Sequence, residues 1–163
     1  RDKTHEQRIL KLLRKGQENP ALAVDDEIGL IGVLNSVDDI EAFKKHLRKS
    51  AGNSGSMITF EEIEDTLSGG EHKPNSIGSS PKVRMFKCFV RIGGARIEMI
   101  LHTNETYLDY RYKEGVAHEE YETKRLFDSG VMELLFPPAI YDYDPEQMES
   151  FALERVRNVI RSR

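Results

Sequence analysis

The chain has 163 residues, 38% hydrophobic and 32% charged, with a formal net charge of −4 and a pI near 5.8. That length suits one domain with a continuous core, and no apolar run is long enough to cross a membrane. The acidic balance lacks the basic field that wraps nucleic acid, so neither a membrane nor duplex DNA is an expected partner, although a local basic patch is compatible with it.

Residues 4–15, THEQRILKLLRK, set Ile9, Leu10, Leu12 and Leu13 on one stripe, with Thr4 as N-cap and Gln7 at the capping-box position. This predicts a helix ended near Gly16. AVDDEIGLIGVLN is apolar after its acids and closes on Asn35-Ser36, which reads as a strand of about six residues. SVDDIEAFKKHLRKS then starts a helix at the N-cap Ser36, with Val37, Ile40, Phe43 and Leu47 inward and Glu41, Lys44, Lys45 and Arg48 outward. Residues 50–56 form a Gly/Ser/Asn loop. MITFEEIEDTL is expected to run from a strand into a short helix, with Thr59 capping and Glu62 at N3, and residues 68–81 make a long Gly/Ser/Pro connection.

KVRMFKCFVRI and ARIEMILHT flank Gly93-Gly94, the signature of a two-residue hairpin turn between strands. In the second strand Ile97, Met99 and Leu101 share one face, while Arg96, Glu98, Ile100 and His102 share the other. The single cysteine, Cys88, sits in the apolar FKCFV and reads as a buried thiol in a reducing, cytoplasmic compartment. Residues 105–130 are charged with a helical period and predict one long helix, or two broken at Gly115. PPAIYDYDP is a loop, and Pro145 opens a last helix with Met148, Phe151, Ala152, Val156 and Ile160 inward. This succession predicts an α+β fold, a mixed, largely antiparallel sheet covered by helices, as a single domain over residues 1–163. Because the chain starts at Arg1 rather than Met, it is expected to be a piece of a longer protein.

Three acidic places could carry chemistry: Asp25 and Asp26 at the entry of the first strand, Glu98 inside the second hairpin strand, and Asp142 with Asp144 around Tyr143. Two carboxylates converging from neighbouring strands would hold a divalent cation of the kind that binds nucleotide phosphates, and Asp26 with Glu98 is the leading pair. Equally, both can be ordinary strand-end acids. The hairpin bases Lys82, Arg84, Lys87, Arg91 and Arg96 could cradle polyphosphate or pair with acids across strands. His118, Tyr121 and Arg125, with Lys113 upstream, follow helical spacing and suit either a nucleotide site or a surface network. His5, His46 and His72 are isolated, and no zinc spacing, P-loop or dinucleotide-binding motif is present.

Taken together, DDEIGLIGVLNSVDDIEAFKKHLRK, the hairpin strand IEMILHT and the segment KEGVAHEEYETKR resemble the synthetase domain of the RelA/SpoT family, with phage-associated and toxin-like relatives nearest in pattern. The resemblance covers residues 22–126, leaving residues 145–163 as a C-terminal helix. Asp26 and Gly29 match the family's first-strand motif, with Ile31 where an Arg stands. Glu98 and Thr103 match the later E-x-Q-I-x-T strand, with Ile100 in place of Gln. Lys113, His118, Tyr121 and Arg125 match the following helix, and Gly78-Ser79-Ser80 lacks the aromatic of the family's Gly-Tyr motif.

The resemblance implies Mg²⁺-dependent transfer of pyrophosphate from ATP to a hydroxyl of a nucleotide or tRNA. Asp26 and Glu98 would bind the metal, and Glu98 would also help activate the hydroxyl. Lys82, Arg84, Arg91, Lys113, His118, Tyr121 and Arg125 would bind nucleotide. The alternative is a catalytically degenerate copy that acts as a protein-interaction module in a larger effector, toxin or phage protein.

Overall fold

The computed structural model describes residues 5–15, 28–72 and 80–163. Thr4, the expected helix stop at Gly16, Asp25 and Asp26, and Gly78-Ser79 lie outside the described residues. The elements are α1 (His5–Lys15), β1 (Ile28–Leu34), α2 (Val37–Asn53), β2 (Ile58–Asp65), β3 (Phe86–Ile92), β4 (Ala95–Thr103), α3 (Asn104–Tyr112), α4 (His118–Asp128), α5 (Val131–Leu135), α6 (Pro138–Tyr141) and α7 (Pro145–Arg161). They fall into two compact units: residues 28–72 with 83–107, and residues 5–15 and 80–82 with 108–163.

In the first unit the sheet order is β1-β4-β3-β2, with β1 parallel to β4 and the other two pairings antiparallel. This is the α+β, mixed and largely antiparallel sheet that the sequence predicts. Strand alternation sends Phe86, Cys88 and Val90 of β3, with Met99 and Leu101 of β4, to one face, where they pack with Ile40 of α2 and with Leu67. Val37, Phe43 and Leu47 complete that contact from α2. Ser36 is the N-cap, its hydroxyl accepting from the Asp39 amide at 3.1 Å. Lys44 and Arg48 are not simply outward, because they lie over the rings of Phe86 and Phe60 at 4.1 and 4.6 Å and cover the core edge with their stems. Gly93 and Gly94, at φ 55° and 88°, supply the two left-handed residues that a twist-matched hairpin turn requires.

The second strand differs from expectation. Residues 58–65 stay in strand rather than turning into a helix at Thr59. Between the pairs Glu61↔Phe89 and Glu64↔Lys87, β2 carries one extra residue, a β-bulge, and Glu62 takes φ 52° there. The residue read as a helix-capping acid instead reaches Arg96, at 2.6 Å.

Cys88 is fully buried, and burial pushes its thiol up to about 11, with Lys44 and Arg48 pulling weakly the other way. A maleimide at about pH 8 is expected to leave Cys88 unlabelled in the native protein and to label it fully in denaturant. Rapid native labelling would contradict this burial.

In the second unit α1 packs on α5, and α4 packs on both α5 and α7. The charged segment forms two helices, separated at Gly115, where φ is 76°. Buried Glu120 ties this break together by accepting from the Gly115 amide at 2.9 Å and from Arg157 Nε at 3.0 Å. Asp144 caps α7 through the amides of Glu146 and Gln147, so one acid of the late loop has a structural task. Residues 137–145, expected to be loop, contain the short helix α6, and Phe151, expected inward, is exposed. No helix of the described residues is long and apolar enough to cross a membrane.

Candidate functional site

The sheet face turned away from α2 carries the polar residues. Register places Gly29, Ile31 and Val33 of β1 beside Glu98, Ile100 and His102 of β4. Lys87, Phe89 and Arg91 of β3 lie on the same side, as do Glu61 and, beyond the bulge, Glu64 of β2. Glu98 Oε1 lies 3.2 Å from Lys87 Nζ, with 20% and 12% of the two side chains exposed. Such a largely covered pair feels its partner more strongly than one in open water. Glu64 is buried and meets His72 Nδ1 at 2.6 Å. The outer end of the face holds a second network. Arg96 stacks over the Phe89 ring at 3.6 Å, and Arg91 Nε donates to Glu61 at 3.0 Å. Hydrogen bonding from Arg91 holds the Glu61 carboxyl below its ordinary range.

His102 sits at the other end of β4, fully buried, with Nδ1 3.4 Å from Thr106 Oγ1 and the Tyr107 ring 6.0 Å away. Burial lowers its pKa to about 4, against a hydrogen bond with the Arg84 backbone that pulls upward. It is a neutral, structural imidazole at neutral pH.

The other predicted site residues divide between the units. Asp26 lies outside the described residues. Arg84 is exposed and donates Nη2 to the Leu67 carbonyl at 3.0 Å, while Arg91 is engaged by Glu61 as described. The rest belong to the second unit. Lys82 is exposed next to Gly115. Lys113 lies just past α3 and donates to Asp109 at 2.7 Å, so it does not share a helix with His118. His118 stacks on Tyr110 with centroids 5.0 Å apart, and Arg125 lies over Tyr121 at 5.6 Å. The sequence names Lys87 among the hairpin bases that could pair with acids across strands, without singling out Glu98 as its partner. The signal was present: alternation puts both on the non-core side of adjacent hairpin strands.

Among the described residues no three acidic, imidazole or thiol groups could together hold a metal ion. One carboxylate, Glu98, is nevertheless compatible with Mg²⁺, which characteristically takes one or two carboxylates, substrate phosphates and water.

The chain is similar to small alarmone synthetases. It matches the small alarmone synthetase 2 of Bacillus subtilis at TM-score 0.46 and 15% identity, covering 99% of this chain and 72% of that one. It matches the small alarmone synthetase 1 of Bacillus subtilis bound to its product pppGpp at TM-score 0.46 and 15% identity, with 99% and 70% coverage. A GTP pyrophosphokinase family protein of Streptococcus pneumoniae matches at TM-score 0.45 and 16% identity, with 98% and 76% coverage. No family model matches the chain, and no curated protein does.

Parallel pairing of β1 with β4 also aligns the two motif-bearing strands residue for residue. Gly29 lies opposite Glu98, and Ile31 lies opposite Ile100. The two strand departures from the RelA/SpoT pattern, Ile31 and Ile100, are therefore a single apolar cross-strand pair beside the acid, with Ile31 40% exposed.

Proposed function

We propose that this chain is a divergent RelA/SpoT-like pyrophosphotransferase that moves pyrophosphate from ATP to a hydroxyl of a nucleotide or tRNA. The observation that carries this reading is the Glu98–Lys87 pair at 3.2 Å on the open sheet face, with Gly29 of the first motif directly across from Glu98. In the proposed reaction the acceptor oxygen bonds to the β-phosphorus of ATP, AMP leaves, and the hydroxyl proton passes to Glu98. Lys87, 3.2 Å away, holds the carboxylate in place. Arg84 and Arg91 of the first unit neutralise phosphate charge, the latter by exchanging Glu61 for phosphate oxygens. Lys82, Lys113, His118, Tyr121 and Arg125 are proposed as nucleotide contacts of the second unit. Bound Mg²⁺, for which Asp26 and Glu98 are the proposed ligands, would supply charge neutralisation on the phosphates.

ATP labelled in its γ-phosphate, incubated with the protein, Mg²⁺ and GDP, GTP or tRNA, should give an acceptor-dependent labelled product, and ATP should raise the melting temperature. Label found only in ATP and inorganic phosphate, with no thermal shift, would overturn the reading. Restoring the family pattern with Ile31→Arg/Ile100→Gln is expected to raise transfer to guanosine nucleotides by about tenfold, a difference of about 1.4 kcal/mol in barrier. An unchanged rate would show that the apolar pair does not limit activity.

The second reading, a degenerate copy kept as an interaction module, is favoured by the same exposed apolar floor, because Ile31 and Val33 stand 40% and 41% open to solvent. On that reading Glu98→Ala leaves partner binding intact, and loss of binding by the folded variant would contradict it.

A further inference from the structure

The second unit carries a surface that pyrophosphate transfer does not use. Residues 126–154 contain seven acids and no Lys or Arg. The same stretch exposes Ile140 at 74% and Leu134 at 62%, with Phe136 and Tyr141 also open to solvent. Single exposed apolar side chains are ordinary, but this density within one short stretch is not. Phe136 and Tyr141 meet edge to face at 5.5 Å, so the two rings form one surface.

The end of α4, α5 and the start of α7 line a cavity of about 140 Å³, to which Phe127, Met132 and Pro145 contribute apolar groups and Asp128, Glu133, Glu146 and Glu149 contribute acids. Those acids do not form a cation cage, since no such metal-holding group occurs among the described residues. Their sign repels nucleic acid and anionic lipid. It complements a cationic polypeptide whose apolar side chains could fill the cavity and cover the exposed rings. The unit already accepts one helix of that chemistry, because α1, HEQRILKLLRK, is basic and amphipathic and packs on α5.

We propose that this acidic, apolar surface docks a basic amphipathic helix of a partner protein, with an aliphatic side chain entering the cavity and Lys or Arg lying over Asp128, Glu133, Glu146 and Glu149. The proposal is independent of the pyrophosphotransfer reading.

The test uses the full chain and a fluorescent synthetic peptide of about 18 residues, long enough to form a helix on a partner. Its Leu residues fall on one helical face and its Lys residues on the other, and a control peptide shuffles the same residues to destroy that face. At about 0.15 M salt the amphipathic peptide should bind, and the shuffled one at least about tenfold more weakly. Leu134→Ser/Ile140→Ser should weaken the amphipathic peptide by at least about tenfold, as should Glu133→Gln/Glu146→Gln/Glu149→Gln, both with unchanged thermal melts. No binding, equal binding of both peptides, or wild-type affinity in either variant would overturn the proposal. Sedimentation of the chain alone supplies the last arm. A dimer that Leu134→Ser/Ile140→Ser dissolves would assign the face to a second copy and overturn the partner helix, whereas a monomer leaves it available as proposed.

Discussion

Glu98→Gln is expected to cut pyrophosphate transfer by at least about a hundredfold, the usual effect of removing one preorganised charged group from a reacting centre. The substitution keeps shape and removes only the negative charge. Its cost in stability should be roughly 1 to 3 kcal/mol, because Lys87 is only 12% exposed and loses its carboxylate, although the Gln carbonyl can still accept from it. A fall of a few degrees in melting temperature is the corresponding expectation. Lys87→Met in the Glu98→Gln background separates the two effects. By removing a largely covered ammonium that has lost its carboxylate, it should recover part of the lost stability while leaving transfer absent. Recovery of transfer in the double variant would show that Glu98 serves only to satisfy Lys87.

The second large effect is a pH dependence of stability set by His102. In the folded protein burial holds its pKa at about 4, below the ordinary 6.5 of an exposed imidazole. Between those values the unfolded chain binds the proton and the folded chain does not, so unfolding free energy rises with pH across that window and is lost as pH falls through it. A shift of this size corresponds to about 3 kcal/mol at about 1.4 kcal/mol per pH unit. Urea unfolding at about pH 4.5 and 7 should show this loss in the wild type and a smaller one in His102→Leu. An imidazole NMR titration of the folded protein should find His102 neutral at about pH 5. Parallel pH profiles for the wild type and the variant, or a normal titration, would contradict the assignment.

These two residues also mark where sequence was informative. The alternation in RIEMILHT assigns Met99 and Leu101 to the core and Glu98 and His102 to the other face, because a strand has period two whatever surrounds it. The Gly93-Gly94 turn and the Ser36 cap are legible for the same local reason. The fate of His102 is not local, because its burial depends on Thr106 and Tyr107 in the first turn of the helix that follows its strand. The run from Thr59 to Glu62 carries the spacing of a capping box, yet its pairing with β3 across a bulge prevails over that local signal. The exposure of Phe151 follows from how α7 meets α4, which the 3.6-residue period of one helix cannot specify. The Ile31–Ile100 contact is a further case. It joins residues far apart in the chain and becomes visible only once β1 is paired with β4 in parallel.

The most direct test of the central claim is single-turnover transfer from γ-labelled ATP by the wild type and Glu98→Gln, side by side at matched folded concentration with Mg²⁺ and each acceptor. A labelled, acceptor-dependent product accompanied by stoichiometric AMP in the wild type, and absent in the variant, is the predicted result. Equal product from both proteins would contradict the role of Glu98, and no product from either would contradict pyrophosphate transfer itself.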